Sequence, residues 1–154
     1  MAALAADRSG PAQSPNTLAR TLVAGANARY EPATSEEVKS YWSLRSLLDL
    51  DEPDISTHGT PSGNAAMYYT ALRRFSDGRR VFGTEAGRLG VGPQLMRNGD
   101  IIVIMMEVVT PIVLRRDGQL YHLVGECYVD GRMFGESVRE HKAAGLEDEV
   151  FRIS

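Results

Sequence analysis

The clearest pattern of apolar and polar positions lies between Asp100 and Asp130. In Leu120–Asp130, which reads LYHLVGECYVD, the residues alternate. Tyr121, Leu123, Gly125, Cys127 and Val129 fall on one face of an expected strand, and His122, Val124, Glu126 and Tyr128 on the other. Upstream, Ile101–Met106 and Thr110–Arg116 read as two further strands, with Asp117-Gly118 as the turn before the third. The three together predict an antiparallel meander. A last short strand at Val150–Ile153 would close an edge of the sheet.

The first half of the chain carries helical spacing instead. Asn16 or Thr17 can cap a short helix through Leu18, Leu22 and Val23 that Gly25 ends. A second helix starts at Ser35, whose hydroxyl can cap while Glu36 and Glu37 occupy the first turn, and Tyr41, Trp42, Leu44 and Leu48 make its apolar stripe to about Leu50. Asp49–Gly63, with Pro53, Gly59 and Pro61, predicts a long loop. A third helix is expected over Asn64–Phe75, with Met67, Tyr68, Ala71, Leu72 and Phe75 inward. Arg79–Thr84 and Arg88–Val91 then read as a strand pair around Glu85-Ala86-Gly87, and Gly90, Gly92 and Pro93 as a bend. Helices first and strands afterwards predict an α+β fold, N-terminal helices packed on a small antiparallel, barrel-like β-sheet. Met1–Pro15, rich in Ala, Ser, Gly and Pro, is expected to be a disordered lead, and 16–154 a single domain.

Composition narrows the function classes. With 17 Lys and Arg against 20 Asp and Glu, the net charge of −3 argues against a nucleic-acid surface. No apolar run approaches the roughly 20 residues of a membrane span. One cysteine, Cys127, permits no internal disulfide and suits a reducing compartment, so a soluble cytoplasmic protein is expected. His58, His122 and His141 lack metal-ligand spacing, and Gly90-x-Gly92 lacks the rest of a dinucleotide fingerprint. No metal and no cofactor are therefore expected.

Several blocks carry a family resemblance. RRVFGTEAGRLGVGP at Arg79–Pro93, NGDIIVI at Asn98–Ile104, PIVLR at Pro111–Arg115 and LVGECYVDGRMFGE at Leu123–Glu136 resemble the C-terminal region of fungal heterokaryon-incompatibility (HET) proteins. The ARTLVA run at Ala19–Ala24 and the terminal FRI fit the same region. The resemblance implies a module that follows a TIR-like HET domain, with this sequence starting in the helical linker after it. Where such proteins have a glycine-rich hairpin, this chain has Met105-Met106-Glu107-Val108-Val109, and Asp130 stands where the family favours His.

The side chains that can do chemistry gather on the expected polar face of Leu120–Asp130. Glu126 as an acid or base, Tyr128 as a hydrogen-bond donor and His122 form a candidate catalytic set. Met105 and Met106 are candidate walls for an apolar ligand, because methionine adapts to irregular shapes. Trp42 and Tyr69 are candidates for closing the site, and Arg115 for anchoring substrate. Glu126 can equally serve by pairing with Arg79, Arg80 or Arg115, and His122 by standing half-exposed between strands. Cys127, on the apolar face, reads as a small core residue. Two functions follow from these residues. The leading expectation is a cofactor-independent cyclase or isomerase, of the pericyclase (Diels–Alderase) type, acting on an apolar fungal secondary metabolite in a barrel cavity. The other is a non-catalytic recognition or regulatory module of the incompatibility system, working as a homodimer or on a protein partner.

Overall fold

A computed structural model describes Ala2–Ala3 and residues 15–48, 59–60, 63–106, 108 and 110–154. In chain order the elements are β1 (Ala2–Ala3), α1 (Pro15–Leu22), α2 (Ser35–Leu48), β2 (Gly59–Thr60), β3 (Gly63–Asn64), α3 (Ala65–Ser76), β4 (Arg79–Gly83), β5 (Leu89–Pro93), β6 (Ile101–Ile104), β7 (Ile112–Asp117), β8 (Leu120–Glu126), β9 (Tyr128–Val129) and α4 (Glu136–Ala143). The fold is α+β, as expected. Apart from Ala2–Ala3 and Pro15, the expected disordered lead lies outside the described residues. Most of the expected loop Asp49–Gly63 does too, and its last part pairs as the β2–β3 ribbon. The chain forms two compact units, Gln13–Asp77 and Met1–Ala12 with Gly78–Ser154.

The first unit is helical. Pro15 opens α1, where its missing N–H costs nothing, and Gly25, with φ +67°, turns the chain out after it while donating its N–H to the Arg20 carbonyl. Thr34, not Ser35, caps α2. Its hydroxyl accepts from Glu36 N–H at 3.1 Å, and the Glu37 carboxylate reaches back to Thr34 N–H at 2.6 Å. This reciprocal pair, Thr-x-x-Glu, satisfies two donors that the helix cannot, which is why it prevails over the neighbouring serine. Asn64 caps α3 by accepting from Met67 N–H at 3.0 Å. Val23, Leu44, Ala65, Tyr68 and Ala71 form the core. Tyr68 is buried, and its hydroxyl donates to the Ala19 carbonyl at 2.7 Å, tying α3 to α1. Met67, expected inward, is exposed.

The second unit holds two antiparallel sheets, β1-β6-β7-β8 and β4-β5-β9, which do not join into a closed barrel among the described residues. The expected meander is β6-β7-β8. The β7–β8 loop is Gly118-Gln119, with Gly118 at φ +60° in the first loop position, where a type II′ turn needs it. Ile102 and Val113, paired across the ladder, point to the second sheet and pack with Phe82, Met96, Cys127 and Val129. Val103 and Leu114 face the other way, against Phe151, Met105 and Tyr121. Each such aliphatic side chain, fully buried, is worth about 1.5–3 kcal/mol. The C-terminal run meets the edge of β8 through one parallel bridge, Tyr121 to Ile153, rather than a full strand.

Two expectations in this unit need correction. Gly90 and Gly92 lie inside β5, not in a bend. A Cβ at Gly90 would overlap the Phe82 ring and come within 2.5 Å of the Tyr128 carbonyl oxygen, and one at Gly92 would overlap the Met96 sulfur. Bare backbone there lets a ring cross the strand and lets β9 pair beside it. The second correction is α4, which adds a helix that periodicity did not mark, because Val138 is the one bulky aliphatic in ESVREHKA.

Candidate functional site

The strand expected to run through Leu120–Val129 is broken in two. β8 pairs with β7 as far as Glu126, whereas β9 pairs with β5 in the other sheet. Cys127 is the hinge, its N–H donating to the Pro111 carbonyl at 2.9 Å. Gly125, at φ +145°, makes the departure possible, and a Cβ on it would strike the Pro93 ring at 2.8 Å. The close approach expected at Gly125 is thus made by Pro93.

A bulge also upsets the alternation. Val113 pairs with Gly125 but Leu114 with Leu123, so Val124 is an extra residue. Partners across a ladder share a face. His122 therefore stands with Arg115 and Gly125, and Glu126 with Leu123 and Ile112, on opposite sides of the sheet. The expected common face for His122, Glu126 and Tyr128 is overturned by this one-residue slip and by the change of sheet.

The three groups are also engaged differently. Glu126 is exposed, and Arg79 Nη2 donates at 2.8 Å to its backbone carbonyl rather than to its carboxylate. His122 is exposed between the Asp117 carboxylate (3.0 Å) and the Ser154 hydroxyl (2.8 Å). Tyr128 is buried and donates its hydroxyl to Asp130 Oδ1 at 2.8 Å. Arg115 donates Nε and Nη2 to the two oxygens of Asp100, each at 2.8 Å, and Nη2 also to the Leu95 carbonyl at 2.7 Å. Its fork is occupied within the protein. Met105 packs against the Val103–Leu114 cluster, and Met106 lines a small cleft of about 270 Å³ beside α4. Trp42 and Tyr69 belong to the helical unit. There Trp42 is half exposed with its ring edge-on to Tyr41, and Tyr69 packs on the core. Burial pushes the Cys127 thiol up to about 12, with Arg79 opposing and Glu126 adding to the rise, so it is no nucleophile at neutral pH.

A cleft of about 640 Å³ lies elsewhere in this unit, between the β4–β5 hairpin and the start of β6. Phe82, Met96, Ile102 and Phe151 give it apolar walls, and Arg80, Arg88, Arg97 and Arg132 line it with Glu85, Asp100 and Glu149. None of Glu126, Tyr128, His122, Met105, Met106 and Arg115 reaches it. This volume is typical of a small-molecule site. The sequence hints at the cleft only through arginines beside glycine turns, at Arg88 after Gly87 and at Arg97 ahead of Gly99. Among the described residues, no three His, Cys, Asp or Glu side chains cluster as metal ligands would.

Residues 53–145 match the family model of the Het-6 beta-barrel domain. The chain is also 41% identical over 73 residues to heterokaryon incompatibility protein 6, OR allele, of Neurospora crassa. That match covers 45% of this chain and 11% of the Neurospora protein, so the chain spans a small part of its relative's length. No solved structure matches the chain. With more than half of its residues inside the family model, this HET-related fungal chain belongs to the Het-6 beta-barrel domain family.

Proposed function

We propose that the chain is a non-catalytic recognition module of the fungal heterokaryon-incompatibility system, acting in the cytoplasm on a protein partner or a small ligand. The observation that carries this reading is the family match over residues 53–145, with the Neurospora incompatibility protein beside it. The separation of His122 from Glu126 across the sheet supports it, because acid–base catalysis needs its groups convergent on one reacting atom. The comparisons lend no support to a cyclase or isomerase of secondary metabolism. No helix among the described residues is long and apolar enough to cross a membrane.

The test is genetic. The gene is deleted in its source fungus, and deletion and parental strains are paired with a panel of strains that carry different alleles. Heterokaryon viability should change in at least one pairing. If every pairing behaves as the parent does, the reading fails.

A further inference from the structure

The cleft of about 640 Å³ combines apolar walls with Arg80, Arg88, Arg97 and Arg132 against the carboxylates of Glu85, Asp100 and Glu149, an excess of positive charge. Two of its charged groups are already paired, Asp100 with Arg115 and Arg132 with Glu140. Arg80, Arg88 and Arg97 have no ion pair among the described residues. Arg80 donates to the Met96 carbonyl at 2.9 Å. Arg97 donates its backbone N–H to Asp100 at 2.8 Å, and its guanidinium acts on that carboxylate through charge without an ion pair. Arg88 is the most telling. Its Nε is buried without a hydrogen-bond partner, and its Nη1 comes no nearer than 3.5 Å to the Asp130 carbonyl. A buried guanidinium Nε–H without an acceptor is unfavourable until one arrives, and an oxyanion with two adjacent oxygens matches the fork of this half-buried side chain. The glycine at 131 keeps this place open, since a Cβ there would lie 3.1 Å from Arg88 Nη1.

We infer that this cleft binds an apolar small molecule bearing one oxyanion, a carboxylate or a sulfonate, with Arg88 as the principal anchor and Phe82, Ile102 and Phe151 as the apolar wall. Arg97 and Arg80, at the exposed rim, add attraction that salt weakens. Nothing in this inference depends on the incompatibility reading; it rests on the cleft alone.

Two naphthalene probes test it on the whole 154-residue chain: 8-anilino-1-naphthalenesulfonate, and N-phenyl-1-naphthylamine, which keeps the rings and lacks the sulfonate. Fluorescence titration should show the anionic probe binding at least tenfold more tightly. Arg88→Gln should weaken it about tenfold, the scale of one charge-assisted contact, and leave the neutral probe unchanged. Arg97→Gln, at an exposed position that the fold does not need, should weaken it several-fold, while Arg116→Gln, outside the cleft, should not. Near-UV circular dichroism confirms that each variant is folded, and Arg97→Gln keeps the test decisive if Arg88→Gln unfolds. Equal affinity for the two probes, or anionic binding indifferent to both cleft variants, overturns the inference. So does an acidic peptide that depends on Arg88 when the anionic probe does not bind.

Discussion

The Asp100 carboxylate accepts from Arg115 Nε, from Arg115 Nη2 and from the Arg97 N–H, all at 2.8 Å, while its own side chain is almost out of water. The hydrogen bonds from Arg115 are the largest cause holding its carboxyl below the usual carboxylate range; burial opposes them, and Arg97 adds to them. A carboxyl that is more acidic in the folded chain stabilises the fold above the unfolded value of about 3.9. That stability is lost as pH falls through the lower folded value. Asp100→Asn should therefore lower stability by about 1 kcal/mol at pH 7, a modest figure because solvent still reaches Arg115 and screens the pair. Urea midpoints measured from pH 7 down to pH 3 should fall less steeply for Asp100→Asn than for the parent. At the same scale, Cys127 should resist an aromatic disulfide reagent in the native protein and react at once in guanidinium. Rapid native labelling would contradict its burial at the hinge.

At the scale of elements, the glycines of β5 separate packing from mere flexibility. Gly90→Ala should cost about 2 kcal/mol or more, because the new methyl overlaps the Phe82 ring and the Tyr128 carbonyl. Gly83→Ala, one strand away with no atom within 4 Å of its Cβ, should change the thermal midpoint little. Equal effects from the two would mean that the crossing of Phe82 over β5 is wrong. In the helical unit, Tyr68→Phe should cost about 1–2 kcal/mol by removing the buried hydroxyl that donates to the Ala19 carbonyl, as read from denaturant unfolding. The meander, the Gly118 turn, the extent of α3 and the strand pair around Gly87 were all legible in the sequence, because each depends on neighbours within a few residues. The break at Cys127 was not. LVGECYV alternates perfectly on paper, and only the pairing with β7 shows that Val124 is surplus and that Tyr128 has a different partner. The glycines of GVG signalled a bend by composition, yet their need arises from a ring and a strand far away in sequence. Thr34 and Ser35 both carry a hydroxyl, and the carboxylate of Glu37 decides between them.

At the scale of the whole molecule, the resemblance read from GD-apolar-strand and VGECYV blocks is the family that the comparisons return. The candidate site was placed by a strand's nominal face, and the bulge at Val124 divides that face. Arg88, Arg97 and Phe82 come together through tertiary structure, from a hairpin and a loop that share no periodicity. A recognition module and an enzyme also differ in what they lose when acid–base groups are removed. The direct measurement is heterokaryon viability in the source fungus after the native gene is replaced by a His122→Asn, Glu126→Gln double variant. Both residues are exposed, so the fold should hold within about 0.5 kcal/mol per substitution. The account predicts that this strain matches the parent in every pairing, while the deletion strain does not. A folded double variant that behaves like the deletion would contradict it and return catalysis to β8.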